Sequence, residues 1–358
     1  MKHIFTIHSH ITFLSALATV EYNQLDKNDV IFICNKYNPP IKQESKIELV
    51  KSFDEVESNY SIWQRLTNFN YGNGCDKFIS NLIKKIDYVA YIDLMSMFNR
   101  FLVTNKQCKQ FHFIEEGSAN YADFDSFRML TADLDMFHWR VSYNKHLKEI
   151  LLSVYRMLRG RSLRILNLPI QPNIYAFFKE VNFYGFSEYS FPNIPKNKKI
   201  IITFSSIKSE LNQKSELDEN LNNSFIWVGD AGYNLYGISK DHFRNALSKL
   251  LLEIDKSKSN KVYIKYRGLE TEEERKIIES VFKKYNFTIH FIPEDAVVEY
   301  IFMNYKNLTV LGNSSSLLIY AKILGHDVYS IFPYIPNVYN MHFATNFDKI
   351  HKLLNLKE

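Results

Sequence analysis

The run LTVLGNSSSLLIYAKILGHDVYSI, residues 308–331, reads as one complete crossover unit. Its first residues, 308–311, are apolar and β-rich. A polar turn follows, residues 315–324 carry a helical pattern, and 328–331 return to an apolar β-rich run. Strand, helix and strand in that order imply parallel strands around a sheet. The same alternation extends upstream, with strands over 200–204, 225–228, 262–266 and 288–292 and helices over 240–255, 270–285 and near residue 297. It also opens the chain, with strands over 4–7, 30–34, 88–93 and 111–114 and helices over 13–22 and 77–86. The expected fold class is α/β, in the form of two Rossmann-like lobes with a central cleft.

Length supports two lobes, because 358 residues exceed what a single hydrophobic core ordinarily holds. From residue 158 to about 199 the texture changes. RGRSLRILNLPIQPNIYAFF gives way to aromatic-rich sequence and then to FPNIPKNKK, with two of the chain's 9 prolines. That stretch marks the expected boundary, giving an N-terminal lobe over 1–158, a linker over 159–199 and a C-terminal lobe over 200–358. At 46% apolar, 15% aromatic and 23% charged, the chain has ample material for compact cores. No apolar run approaches the roughly 18 residues that cross a bilayer.

The first residues, MKHIFTIHSHITFLSALATVEY, could imitate a secretory leader, but His8, Ser9, His10 and Thr12 interrupt the apolar stretch. They read as a strand, a polar turn and a helix, so a cytoplasmic location is expected. Cys34, Cys75 and Cys108 lie far apart without metal or disulfide spacing, which fits a reducing compartment. The net charge of +5 comes in short mixed clusters. Without a basic stripe, a helix-turn-helix or an RRM signature, nucleic acid is not an expected partner.

Two turns could carry chemistry. Glu115, Glu116 and Gly117 end a strand. Adjacent carboxylates raise at least one pKa, and a glycine allows close approach, which suits proton abstraction. The same residues also read as a solvated turn in which Ser118 caps a helix and the glutamates complement its positive end. Gly312, Asn313, Ser314, Ser315 and Ser316 sit between a strand and a helix. There hydroxyls and free N–H groups can hold a phosphate, or the serines can simply cap the helix.

Weaker candidates surround these. Lys265 and Arg267 end a strand on one face and could neutralise a phosphate, or be solvated. His8 and His10 follow the first strand and could line the same cleft as Glu116, or form an ordinary polar turn. Trp227, above Gly229, Asp230 and Gly232, is either a ring for base stacking or a core residue. The Asp133–Asp135 pair reads as a surface pair, His138, His146, His242 and His326 lack spaced partners, and the basic segment 156–164 could meet anionic headgroups or be a solvated linker.

Glu115, Glu116, Gly117 and Ser118, with Tyr121 close behind, resemble the acidic-acidic-glycine motif of bacterial sialyltransferases. The turn from Asn313 to Ser316, followed by LLIYAKILG, resembles their serine-pair motif. Motif order and the two-lobe pattern are similar to the lipooligosaccharide sialyltransferases and capsular polysialyltransferases. That resemblance implies a GT-B fold and an inverting, metal-independent glycosyltransferase that moves sialic acid from CMP-sialic acid to a glycan hydroxyl. It implies no cofactor beyond the donor. Glu116 would be the base, with Glu115 as runner-up. Ser315 and Ser316 would hold the CMP phosphate, with Gly312, Asn313 and Ser314 shaping the turn. The family's His-Pro pair is absent: the matching position reads Lys265, Tyr266, Arg267 and Gly268. Lys265 or Arg267 would then take its electrostatic role, with His290 a further substitute. Alternatives keep the fold and change the sugar to Kdo or another CMP-activated nonulosonate, or leave a non-catalytic binder of CMP-sugar or glycan. Expected partners are the nucleotide-sugar donor and a glycan acceptor, with peripheral association at the inner membrane.

Overall fold

The computed structural model describes residues 1–42, 44–51, 69–94, 96–121, 175–176, 178–207, 220–229, 238–255, 259–267, 270–294, 296–313 and 315–335. The chain divides into two compact units, Met1–Asn212 and Gln213–Glu358. Each holds its own parallel sheet, so the chain consists of two Rossmann-like lobes in series, the content of the GT-B class.

Among the described residues, the first unit contains seven strands, β1 (Lys2–Ile7), β2 (Val30–Cys34), β3 (Glu48–Lys51), β4 (Tyr88–Ile92), β5 (Cys108–Ile114), β6 (Phe183–Gly185) and β7 (Lys199–Ile201). They lie in the order β3-β2-β1-β4-β5-β6-β7, and the pairings are parallel. β2 and β4 are buried along their whole length, because helices cover both faces of a parallel sheet. Among the described residues its helices are α1 (His10–Tyr22), α2 (Phe69–Ile83) and α3 (Met97–Val103). α1 is buried from Ile11 to Val20, an apolar helix with hydroxyls at Thr12, Ser15 and Thr19. It starts three residues earlier than periodicity suggests. The polar turn is its cap: Ser9 Oγ accepts from the Thr12 N–H, and Thr12 answers back to the Ser9 N–H.

The second unit contains β8 (Phe225–Val228), β9 (Lys261–Lys265), β10 (Thr288–Phe291), β11 (Thr309–Gly312) and β12 (Asp327–Ser330) in the order β10-β9-β8-β11-β12, again parallel. Among the described residues its helices are α4 (Lys240–Glu253), α5 (Glu272–Lys284), α6 (Val298–Asn304) and α7 (Ser316–Ile323). α5 has a Thr271/Glu274 capping box, three glutamates in its first turn and two lysines in its last. That arrangement complements the helix dipole and explains the boundary. Trp227 is 1% exposed and packs edge-on against Phe282, so it belongs to the core of this unit rather than to a base-stacking loop.

One boundary needs correction. The stretch expected to be a linker, 159–199, supplies β6, and the strand expected to open the second lobe is β7, the last strand of the first sheet. β6 is three residues long, too short for periodicity to register, and is held by parallel pairing to β5 rather than by its own pattern; β7 was legible as a strand, but its pairing to β6 puts it in the first sheet. Among the described residues, no helix is long and apolar enough to cross a membrane. Cys34, Cys75 and Cys108 are free thiols.

Candidate active site

The chain moves outward from β1 to β2 and β3, then returns to the other side of β1 with β4 and β5. That reversal between β1 and β4 opens a crevice at the carboxyl ends of the strands, the place where α/β sheets bind ligands. Three residues just beyond β1, β4 and β5 meet there: His8, Asp93 and Glu116. One nitrogen or oxygen from each lies within 4.8 Å of the others.

Their neighbours fix all three. The His8 N–H donates to Thr12 Oγ1 at 3.0 Å, tying it to the cap of α1. Asp93 Oδ2 lies 3.0 Å from His8 Nδ1, and Oδ1 accepts from Asn99 Nδ2 at 3.1 Å. Asn99 sits in α3, whose Ser96 cap accepts its N–H. The Glu116 N–H donates to Asn120 Oδ1 at 2.6 Å. Its carboxylate Oε2 is buried without a hydrogen-bond partner. Two carboxylates can bond each other only when one carries a proton, so Glu116 and Asp93 compete for it.

The electrostatics follow. Burial and the negative charge of Asp93 push the Glu116 carboxyl up to about 8, against an opposing pull from His8. Burial would raise Asp93 too, but its hydrogen bond to His8 and the charge of that ring hold it below the usual range. Burial alone would lower His8; Asp93, with help from Glu116, raises it. The cluster thus separates an ionised Asp93 from a strongly basic Glu116. Among the described residues it is also the one group of histidine and carboxylates close enough to hold a cation.

Glu115 is different despite its adjacency. It is 0% exposed, its Oε2 accepts from the Phe186 N–H at 2.8 Å and Ser190 Oγ at 2.7 Å, and its carbonyl accepts from Ser15 Oγ at 2.8 Å. A side chain on Gly185 would come within 2.6 Å of Ser190 Cβ, so this packing demands glycine. Gly117, at φ 140°, turns the chain in a conformation that side chains rarely adopt. Ser118 opens a short turn, Ser118–Tyr121, rather than capping a regular helix. His10 bonds Tyr37 Oη at 2.6 Å through Nδ1, which separates it from the role read for His8.

In the second unit, strand order reverses between β8 and β11. Gly312 ends β11 at that reversal, and Asn313 follows, 3% exposed, with a buried, unpartnered Oδ1. Ser330 Oγ donates to the Asn313 carbonyl. Ser315 caps α7 by accepting the Leu317 N–H at 3.4 Å, and Ser316 opens the helix. Ser314 lies outside the described residues, as do Gly268, Asp230, Gly232, the Asp133–Asp135 pair, His138, His146 and segment 156–164. Lys265 Nζ donates to the carbonyls of Pro293 and Glu294. Arg267 is exposed, and its N–H donates to Glu270 Oε2 at 2.7 Å. His290 stacks on Tyr263, and His326 bonds the Phe302 carbonyl within the core. A Cβ on Gly312 would lie 3.0 Å from the Val228 carbonyl and 2.9 Å from Val228 Cγ2. Gly312→Ala should therefore destabilise this unit by about 1–3 kcal/mol in denaturant unfolding.

Sequence reading missed Asp93. The available signal was a carboxylate closing the apolar run YVAYI, at the same strand end that Glu115 and Glu116 occupy on β5.

No family model matches the sequence, and no curated protein matches it. Solved structures align over nearly the whole chain at low identity. The S. aureus MnaA–UDP structure covers 99% of this chain and 89% of its own, at 8% identity and a TM-score of 0.49. UDP-GlcNAc 2-epimerase from Neisseria meningitidis bound to UDP-GlcNAc covers 99% and 92%, at 11% and 0.45. MurG from Acinetobacter baumannii covers 99% and 83%, at 10% and 0.43. With TM-scores below 0.5, chemistry must come from this chain's own side chains.

Proposed function

We propose that this protein is an inverting glycosyltransferase that moves a sialic acid, or a closely related CMP-activated sugar, onto a hydroxyl of a glycan acceptor. The observation that carries this reading is Glu116: a basic carboxylate with a buried, unpartnered oxygen, held at a strand-end crevice beside Asp93 and His8. A base tuned upward toward working pH is suited to take a proton from an alcohol. The motif resemblance adds the donor: the turn of Gly312, Asn313, Ser315 and Ser316 would receive its phosphate, the N–H groups of α7 serving as donors.

The reaction is a single displacement. The acceptor oxygen loses its proton to Glu116 and forms a bond to the anomeric carbon, while the bond from that carbon to the phosphate oxygen breaks and CMP leaves with the electron pair. Arg267 or Lys265 would offset the growing phosphate charge. Lys265 Nζ donates to the carbonyls of Pro293 and Glu294, beyond the end of β10. Glu115, sealed by Phe186 and Ser190, acts as the anchor of the turn.

Release of CMP from CMP-sialic acid by purified protein, with and without a lactose-type acceptor and with EDTA present, tests this reading. We expect release that survives EDTA; loss with EDTA would transfer the role of the three-residue cluster to a bound cation. Parallel assays with CMP-Kdo and other CMP-nonulosonates identify the sugar. No release from any of them would overturn the transferase.

The pH profile supplies a second check. Glu116 must be ionised to act as base, so kcat/KM should rise with pH through about 8 and level off above it. The sign for stability is opposite. A raised carboxyl favours the protonated native state, so its contribution is complete at acid pH and is lost as pH climbs to about 8. Thermal melts above that pH should therefore show Glu116→Gln unfolding later than wild type.

A further inference from the structure

We propose that the amino-end face of the first sheet, where the chain enters β4, β5, β6 and β7, is a docking surface for an anionic lipid bilayer. The surface is separate in sequence from segment 156–164, and it does not depend on the transferase reading above.

Charge is the first observation. Residues 84–87 lead into β4, 105–107 into β5, 178–182 into β6 and 195–198 into β7, and these four strands are neighbours in the sheet. Spaced about 4.8 Å apart, they set their entry turns side by side over about 15 Å. Lys109, near the start of β5, pairs with Asp87 at 3.2 Å. That leaves Lys84, Lys85, Lys106, Lys179, Lys196 and Lys198 against Glu180, a surplus of +5 that equals the net charge of the whole chain. Among the described residues Lys84, Lys85, Lys106, Lys179 and Lys196 are exposed and form no ion pair. At the entries to β1 and β2, by contrast, Lys2 pairs with Asp29 and Lys27 with Glu21. Lys199 turns the other way, to the Glu188 carbonyl beyond β6.

Exposed apolar side chains lie among these lysines. Ile86 is 46% exposed and Phe178 is 50% exposed. Lys84 and Lys85, which precede Ile86, hold left-handed backbone at φ 45° and 69°, at a helix end where glycine is usual. Hydrogen bonds fix the patch: Lys198 Nζ donates to the carbonyls of Phe178 and Lys179, and Gln110 Nε2 donates to the Glu180 carbonyl at 2.7 Å. Unpaired ammonium groups around an isoleucine and a phenyl ring match a lipid surface. The charges meet headgroup phosphates, while the apolar side chains enter the boundary with the acyl chains. A soluble polyanion would engage the charges and leave Ile86 and Phe178 in water. The crevice of His8, Asp93 and Glu116 lies at the other end of the same strands, which rise about 3.3 Å per residue, so it stands roughly 20 Å from the docked face and stays open.

Flotation of the purified protein with vesicles tests the surface. Wild type should float with vesicles rich in phosphatidylglycerol, stay behind with phosphatidylcholine alone, and be released by salt. Lys84→Gln with Lys85→Gln should weaken binding about 30-fold, the effect of two lysines near a charged surface. The control removes the same charge at the opposite end of the sheet: Lys36 follows β2 and Lys51 ends β3, both exposed, and Lys36→Gln with Lys51→Gln should bind as wild type does. Ile86→Ser with Phe178→Ser should lose about tenfold on vesicles and nothing on dextran sulfate. All six side chains are exposed, so thermal melts of the variants should match wild type. Absence of flotation by wild type, or an equal loss in the Lys36 and Lys51 variant, overturns the surface. Undiminished flotation of the Ile86 and Phe178 variant overturns the lipid and assigns the face to a soluble polyanion. CMP release is read in none of these arms, so failure of the transferase and failure of the docking surface are separate results.

Discussion

Glu116→Gln should lower turnover by about 10³-fold while leaving the affinity for CMP nearly unchanged. General base catalysis contributes roughly 10²- to 10⁴-fold, and the amide cannot accept a proton from an alcohol. The substitution keeps size and hydrogen-bonding geometry, and the backbone N–H that fixes the turn on Asn120 is untouched. The donor-side turn at Gly312, Asn313, Ser315 and Ser316 belongs to the other compact unit, so calorimetry with CMP should give wild-type affinity. Full turnover in this variant would remove Glu116 from the chemistry. A parallel loss of CMP binding would show that the substitution had disturbed more than a proton acceptor.

Glu115→Ala should do the reverse, costing stability first. Its Oε2 satisfies the Phe186 N–H and Ser190 Oγ in a place where the residue is 0% exposed. Removing the carboxylate leaves a buried N–H without an acceptor and opens a void beside Gly185. Lost hydrogen bonds to a charged acceptor and the unsatisfied donor together amount to about 3 kcal/mol. Denaturant unfolding of the first unit checks it. Glu115→Gln should recover most of the loss, because its amide oxygen can accept both donors. If Glu115→Ala folded as well as wild type but lost turnover, the roles assigned to the two glutamates would have to be exchanged.

These two substitutions also mark how far the sequence could be read. Acidic residues at the end of β5 were visible as a place for chemistry, alongside the reading of Glu115, Glu116 and Gly117 as a solvated turn. Which glutamate faces the crevice was not visible. Consecutive residues on a turn diverge according to backbone angles, and the positive φ of Gly117 is a property of the folded chain. Asp93 was legible only as the end of a strand. Its importance comes from β1 lying between β2 and β4, a pairing across 85 residues that no local pattern encodes. The same holds for β6, whose three residues become a strand through β5.

What the sequence determined by itself was the class of fold. Period, run length and turn chemistry are local quantities, and they suffice to place strands such as Val30–Cys34 and Phe225–Val228 and the capped helix that begins at Ser316. Tertiary structure decided what those elements bring together. His8, Asp93 and Glu116 come from three separate turns, and each would be an ordinary solvated residue with an ordinary pKa in an extended chain. Only when three parallel strands align their carboxyl ends is Asp93 buried, with Glu116 partly covered, and the three side chains set within 4.8 Å of each other. There burial and mutual charge, rather than residue type, set their acidity.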